Sequence, residues 1–156
     1  MNKALLQASL GLKNNEVPVG AVIVDRDGNI IARAYNKIEA EQCQLAHAEA
    51  RAIKKACKKV VGWRLNGCWI YVTLEPCLMC FGLIKLSRLE GVVFGAQSNL
   101  FGIGLHDLEK VPHYAKDIKI IGGIQEKECV GILKKFFNNV RKKRKAERET
   151  KRSITR

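Results

Sequence analysis

The chain alternates between helical and extended hydrophobic patterns. Residues 2–13 place Leu5, Leu6, Leu10 and Leu12 on one helical stripe, interrupted by Gln7, Ser9 and Lys13, and Pro18 closes the segment. Residues 19–24 and 30–35 are β-branched runs. The stretch between them, Asp25-Arg26-Asp27-Gly28-Asn29, contains an Asp-Gly pair that favours a hairpin turn. In residues 46–60 the apolar Ala48, Ala52, Ile53, Ala56 and Val60 recur at helical spacing, with Lys54, Lys55, Lys58 and Lys59 mostly outward. Residues 69–74 read as a strand. Pro76 then opens a nearly all-apolar helix through Leu86, which such a pattern buries.

The remainder is less regular. Residues 91–95 read as a short buried strand and 118–121 as a fifth strand. Residues 97–117 have no clear period and are expected to form a long loop with a short helical piece. From 125 to about 149 a long helix is expected, amphipathic in its first half (Val130, Leu133, Phe136, Phe137, Val140) and charged in its second. There is no internal repeat and no interdomain linker. Strands alternating with helices imply an α/β sandwich around one sheet.

Composition narrows the partners. A chain of 156 residues fits one domain, and 47% apolar residues suffice for a real core. No apolar run approaches the ~20 residues of a membrane-spanning helix. The net charge of +13 points to a polyanion, most simply nucleic acid, with a membrane surface as the competing partner. That charge is uneven: residues 134–156 hold 11 Lys and Arg against 2 acidic residues, which leaves only +4 on the other 133. The six cysteines, at 43, 57, 68, 77, 80 and 129, include one Cys-x-x-Cys, closer to metal-ligand usage than to a disulfide framework. The N-terminal stretch reads as an amphipathic helix rather than a leader, so a reduced, cytoplasmic protein is expected. Cys57, Cys68 and Cys129 sit in apolar contexts and are expected to be buried, inert thiols. His106 and His113 have no partner spacing and read as solvated loop residues.

The chemistry concentrates in Leu45-Ala46-His47-Ala48-Glu49 and Leu74-Glu75-Pro76-Cys77 with Met79-Cys80. Cys77 and Cys80, three apart, share a face in a helical first turn, where the helix N-terminus favours thiolates. With His47 they make a Cys₂His set, three protein ligands for Zn²⁺ with a fourth position for water, whose pKa the metal lowers toward ~7. Glu49 lies ~200° around an ideal helix from His47. At a frayed first turn it could still reach the water while His47 holds the metal, as a proton shuttle needs. The competing arrangement is closed: Cys43, four before His47, would complete a structural Cys₃His site and leave Glu49 without a role.

On these residues the chain resembles the bacterial tRNA adenosine deaminases of the zinc nucleobase-deaminase superfamily, whose signature is His-x-Glu followed by Pro-Cys-x-x-Cys. The resemblance covers most of the chain. It is strongest in Glu16-Val17-Pro18-Val19-Gly20-Ala21-Val22, Ala46-His47-Ala48-Glu49 and Tyr71-Val72-Thr73-Leu74-Glu75-Pro76-Cys77-Leu78-Met79-Cys80. Ser87-Arg88, Val92-Val93-Phe94-Gly95-Ala96 and Phe136-Phe137 also fit. It implies a three-layer α/β/α sandwich with a mixed five-stranded sheet, usually a homodimer, with a deaminase domain over 1–140 and a basic extension over 141–156. It implies one zinc on His47, Cys77 and Cys80, Glu49 as proton shuttle, Asn36 on the flipped adenine, and Val19, Gly20 and Leu74 as pocket walls. Phe136, Phe137, Arg141, Lys142, Lys143 and Arg144 are expected to contact RNA. The implied reaction is hydrolytic deamination of the wobble adenosine in a tRNA anticodon loop. One departure stands out: relatives commonly carry Arg-Asp-x-Lys where this chain has Gln97-Ser98-Asn99-Leu100. Two other readings use the same residues, a deaminase of free bases or nucleotides and a non-catalytic zinc RNA-binding module.

Overall fold

A computed structural model describes residues 1–106 and 118–154. Five strands, β1 (Gly20–Val24), β2 (Ile30–Tyr35), β3 (Trp69–Leu74), β4 (Gly91–Ala96) and β5 (Lys119–Ile121), form one sheet in the order β2-β1-β3-β4-β5. The β1–β2 and β1–β3 pairs are antiparallel, and β3–β4 and β4–β5 are parallel, so the sheet is mixed as expected. The β1–β2 hairpin turns at Gly28, whose φ of +83° suits only glycine well. The Asp25 carboxylate accepts the amides of Asp27 and Asn29 and closes that turn.

The described residues form five α-helices: α1 (Asn2–Lys13), α2 (Ile38–Glu41), α3 (Ala48–Val60), α4 (Leu78–Leu86) and α5 (Glu126–Ile154). Helices α3 and α4 pack together on the sheet, and α1 and α5 form a second pair. Helix α3 meets the sheet through Ala48, Ala52 and Ala56, all fully buried, which lets its backbone lie close to β1 and β2. The short α2 and a 3₁₀ turn at Gln44–Ala46 form between β2 and α3, where the sequence pattern announces neither. The loop after β4 contains a 3₁₀ turn at Ile103–Leu105. His113 and residues 155–156 lie outside the described residues.

Several sequence expectations are corrected. On α1 the buried face is Ala4, Ala8 and Gly11, while Leu6 and Leu10 are exposed. The reason is the close approach of β1: a Cβ at Gly20 would overlap the backbone of Ala4 and Ala8, so only small residues fit between helix and strand. Val60 is exposed at the helix end rather than part of the buried stripe. Pro76 and Cys77 precede α4 instead of opening it, and only Cys80, Phe81 and Ile84 of that helix are buried. Cys57 is partly exposed, whereas Cys68 and Cys129 are buried as expected. Among the described side chains of α5 only Cys129 is fully buried, its thiol pushed up to about 11 by desolvation, beneath Gly95 of β4.

Gly20→Ala is therefore expected to cost about 1–3 kcal/mol by overpacking. Gly131→Ala on α5, where a Cβ meets nothing within 4 Å, is expected to stabilise by about 0.5–1 kcal/mol through helix propensity. Thermal unfolding followed by circular dichroism checks both signs.

Candidate metal centre and active site

The site is assembled where three connections leave the sheet. Strand β3 ends at Leu74 and passes through Glu75 and Pro76 to Cys77, which stands at the N-cap of α4 with an extended backbone (φ −76°, ψ 166°). His47 occupies the N-cap of α3, also extended (φ −57°, ψ 146°). Because His47 is outside the helix, the ideal-helix separation from Glu49 does not apply. Both residues line the same cavity of about 510 Å³.

His47 Nδ1 lies 3.8 Å from Cys77 Sγ and 3.4 Å from Cys80 Sγ, and the three potential ligand atoms fall within 4.8 Å of one another. A tetrahedral ion with the usual Zn–S and Zn–N lengths holds such atoms roughly 3.5 Å apart, so the spacing fits zinc. The proton affinities fit as well. The Cys77 thiol is lowered to about 4, chiefly by a hydrogen bond from Cys80, with His47 adding to the effect. The same hydrogen bond and burial push Cys80 upward. A pair of thiols that shares one proton is a donor set suited to a soft dication, which favours both as thiolates. Hydrogen bonding to Cys77 raises His47. Glu49, 4% exposed, is raised chiefly by desolvation.

Asn36, directly after β2, is buried on the cavity wall. Its Nδ2 donates to Glu16 Oε2 at 3.2 Å, which fixes which end of the amide faces Glu16. Val19 and Leu74 line the cavity too. Gly20 does not: its backbone is pressed beneath α1, and its N–H donates to Thr73 Oγ1 at 3.0 Å. Cys43 is exposed and outside the cluster, which leaves the Cys₂His set without the fourth protein ligand of the closed alternative.

The model for the cytidine and deoxycytidylate deaminase zinc-binding region matches residues 1–96. The chain belongs to this deaminase family. Among relatives of the deaminase, the tRNA-specific adenosine deaminase of Bacillus subtilis (strain 168) is 45% identical over 151 residues, spanning 96% of this chain and 93% of that one. A solved structure from studies of A-to-I editing by tRNA:A34 deaminases superposes with a TM-score of 0.79 at 36% identity, covering 85% of this chain and 97% of its own. A guanine deaminase structure from Bacillus subtilis matches less of the molecule, 62% of this chain and 61% of its own, with 39% identity and a TM-score of 0.58. The zinc of this deaminase family has its Cys₂His set in His47, Cys77 and Cys80.

Of the residues expected to meet RNA, Phe137 lines the active-site cavity. Phe136, Lys142 and Lys143 instead line a separate groove of about 280 Å³ with Leu12 and Asn15 of the α1 side. Arg141 and Arg144 lie on the exposed part of α5, apart from the deaminase cavity. Sequence reasoning gave no role to Glu16 or Glu75. Glu16 is fully buried and accepts the amides of Glu39 and Ala40 besides the Asn36 amide. Glu75 accepts the amides of Ser98 and Gly104 at 2.9 and 2.7 Å. Their signal was the acidic residue inside an apolar motif, Glu-Val-Pro-Val and Leu-Glu-Pro-Cys, where a solvated charge has no place.

Cys43→Ser is expected to retain one zinc per chain and an unchanged melting temperature, and Cys80→Ser to lose the metal. Elemental analysis of the purified variants checks this; loss of zinc from Cys43→Ser would restore the closed site.

Proposed function

We propose that the chain hydrolytically deaminates adenosine to inosine at the wobble position of a tRNA anticodon loop. The reading is carried by the meeting of Glu49 with the Cys₂His donors in one cavity. This occurs in a chain related along nearly its whole length to a tRNA-specific adenosine deaminase. Zinc on His47, Cys77 and Cys80 supplies a Lewis acid that makes water nucleophilic near neutral pH.

The chain's own side chains do the rest. Asn36, whose Nδ2 is tied to Glu16, holds the base edge through its amide. Val19 and Leu74 flank the ring with apolar surface. Glu49 takes a proton from the attacking water and delivers it to adenine N1 as the C6–O bond forms. It then transfers the second proton to N6, the C6–N6 bond breaks, and ammonia leaves. Burial suits Glu49 to this work, because a carboxyl with raised proton affinity holds a proton between the two transfers.

The base enters only when unstacked, which costs least in a loop whose bases are already splayed. The exposed cations Arg141, Lys142, Lys143 and Arg144 meet phosphate along α5. The basic extension from 141 is thus read as a docking element continuous with α5, beyond the deaminase domain proper. The protein works as a homodimer, a reading supported by exposed Leu78, Met79 and Leu86 on α4. Its six cysteines form no disulfide, which suits the cytoplasm, and no described helix is long and apolar enough to cross a membrane.

With an anticodon stem-loop carrying adenosine at the wobble position, inosine and ammonia are expected. Free guanine and cytosine are expected to release none. Ammonia from a free base alone would replace the reading. Glu49→Gln is expected to keep zinc and RNA affinity while kcat falls roughly 10²- to 10⁴-fold; near-normal turnover would remove Glu49 from the mechanism.

Replacing Arg141, Lys142, Lys143 and Arg144 with Gln is expected to raise KM for RNA with kcat little changed. The salt dependence of binding should flatten by roughly 0.7–0.9 in log–log slope for each phosphate no longer neutralised. Unchanged affinity and slope would make this stretch a merely solvated face.

A further inference from the structure

The three metal ligands are not held alike. Cys80 lies inside α4, and His47 stands between a 3₁₀ turn and α3. Cys77 belongs to no helix or strand, yet its sulfur has to meet His47 and Cys80. Its backbone is supported by the loop after β4, where residues 75–77 face residues 102–104 in antiparallel order. Cys77 pairs with Gly102 as an isolated bridge. The Pro76 carbonyl accepts the Ile103 N–H at 3.1 Å. Glu75 Oε1 accepts the Gly104 N–H at 2.7 Å, and Oε2 accepts the Ser98 N–H at 2.9 Å. The Glu75 N–H itself donates to the Ala96 carbonyl at 2.8 Å and so prolongs the β3–β4 pairing.

So short a pairing is weak on backbone bonds alone, and Pro76 has no N–H to add to it. The Glu75 side chain takes the place of the missing backbone bonds. A carboxylate that accepts amides makes charge-assisted bonds, roughly twice as strong as neutral ones. At 8% exposure little water competes for it. The fit is tight as well: a Cβ at Gly102 would collide with the Glu75 carboxylate and the Ser98 carbonyl. Ile103 is buried in the same core cluster as Phe81 and Ile84 of α4, so the loop is also packed to the helix that Cys77 caps.

We infer that Glu75 is a positioning residue for the metal ligand Cys77, and that its clasp ties zinc retention to the seating of residues 98–104. A metal escapes a site when its ligands swing away, and the clasp restrains the one ligand that no regular element holds. The coupling is reciprocal. Whatever the seated loop adds to zinc affinity, bound zinc adds to the seating of the loop. The same loop supplies Ser98 and Phe101 to the cavity wall, so loss of zinc loosens the mouth as well as removing the Lewis acid. The inference rests on the metal set and holds whichever base the deaminase takes.

The test mixes zinc-loaded, full-length protein with excess chelator and times zinc release, at a temperature where circular dichroism shows every variant folded. Glu75→Gln and Gly102→Ala are expected to release zinc roughly 10- to 100-fold faster than the wild type. The double variant is expected to be no faster than the quicker single variant, because both changes open one clasp. Gly20→Ala strains the α1 side of the sheet and calibrates for lost stability, with a lower Tm and an unchanged release rate expected. The wild type gives a second reading that needs no variant. Amide hydrogen exchange at Ser98, Ile103 and Gly104 is expected to quicken when zinc is removed, while the amides of β1 stay protected.

Wild-type release rates in Glu75→Gln and Gly102→Ala, with only Tm lowered, would make Glu75 a merely structural residue and overturn the inference. Multiplied effects in the double variant, or exchange at the three amides indifferent to zinc, overturn it too.

Discussion

His47 and Cys77 each stand one residue outside a helix, with ψ of 146° and 166°, and the chemistry of the site depends on these two extended joints. Inside α3, His47 would point far around the helix from Glu49, and the metal ligand and the buried carboxyl would occupy different faces. With His47 extended, its ring reaches both sulfurs while Glu49, in the first turn of α3, still faces the same cavity. The Cys77 joint serves the sulfurs similarly, one from the cap and one from the first turn. Both joints sit at helix N-termini, where the aligned peptide dipoles favour the negative charge that thiolates and carboxylate carry.

Two buried carboxylates make the irregular chain around these joints as definite as the sheet. Glu16 gathers the side chain of Asn36 and two amides at the start of α2, linking residues twenty or more positions away. Glu75 gathers amides at 98 and 104 and so fixes the loop after β4 to the strand that carries the cysteines. A buried carboxylate costs much solvation unless its lone pairs find donors. Among the described residues, no buried side-chain nitrogen or oxygen lacks a partner. The cost is therefore offset locally, and the gain is position: Asn36 keeps one amide orientation, and the loop keeps its apolar residues at the cavity.

This explains what could be read from the chain alone. Strands β2 and β3 and the metal residues were legible because each follows from local spacing: β-branched runs, a Cys-x-x-Cys after proline, a histidine two before a glutamate. The buried face of α1 was not, because the leucine stripe is the stronger local pattern and only the proximity of Gly20 selects the alanines. Helix α2 was missed for a related reason. Its first amides are accepted by Glu16, and a cap supplied from so far along the chain leaves no mark near residues 38–41. Gly20 was read as a pocket wall from the motif around it, yet its need for space lies on the α1 side of the sheet.

The division of charge bears on how such a site discriminates. Most of the net charge lies on residues 134–156, while the loop at the cavity mouth carries none. If the basic helix docks RNA as proposed, its long-range attraction would act on any polyphosphate chain and weaken with salt, gathering substrates without sorting them. On the proposed reading sorting occurs at the cavity, where a base would leave its stack and exchange water for the surface of Val19, Leu74 and Asn36. A base in a duplex gives up its pairing and stacking to make that exchange, and a splayed loop base gives up far less. On that reading, selection for loops would be achieved before any bond is broken, by the cost of extraction set against a small apolar pocket.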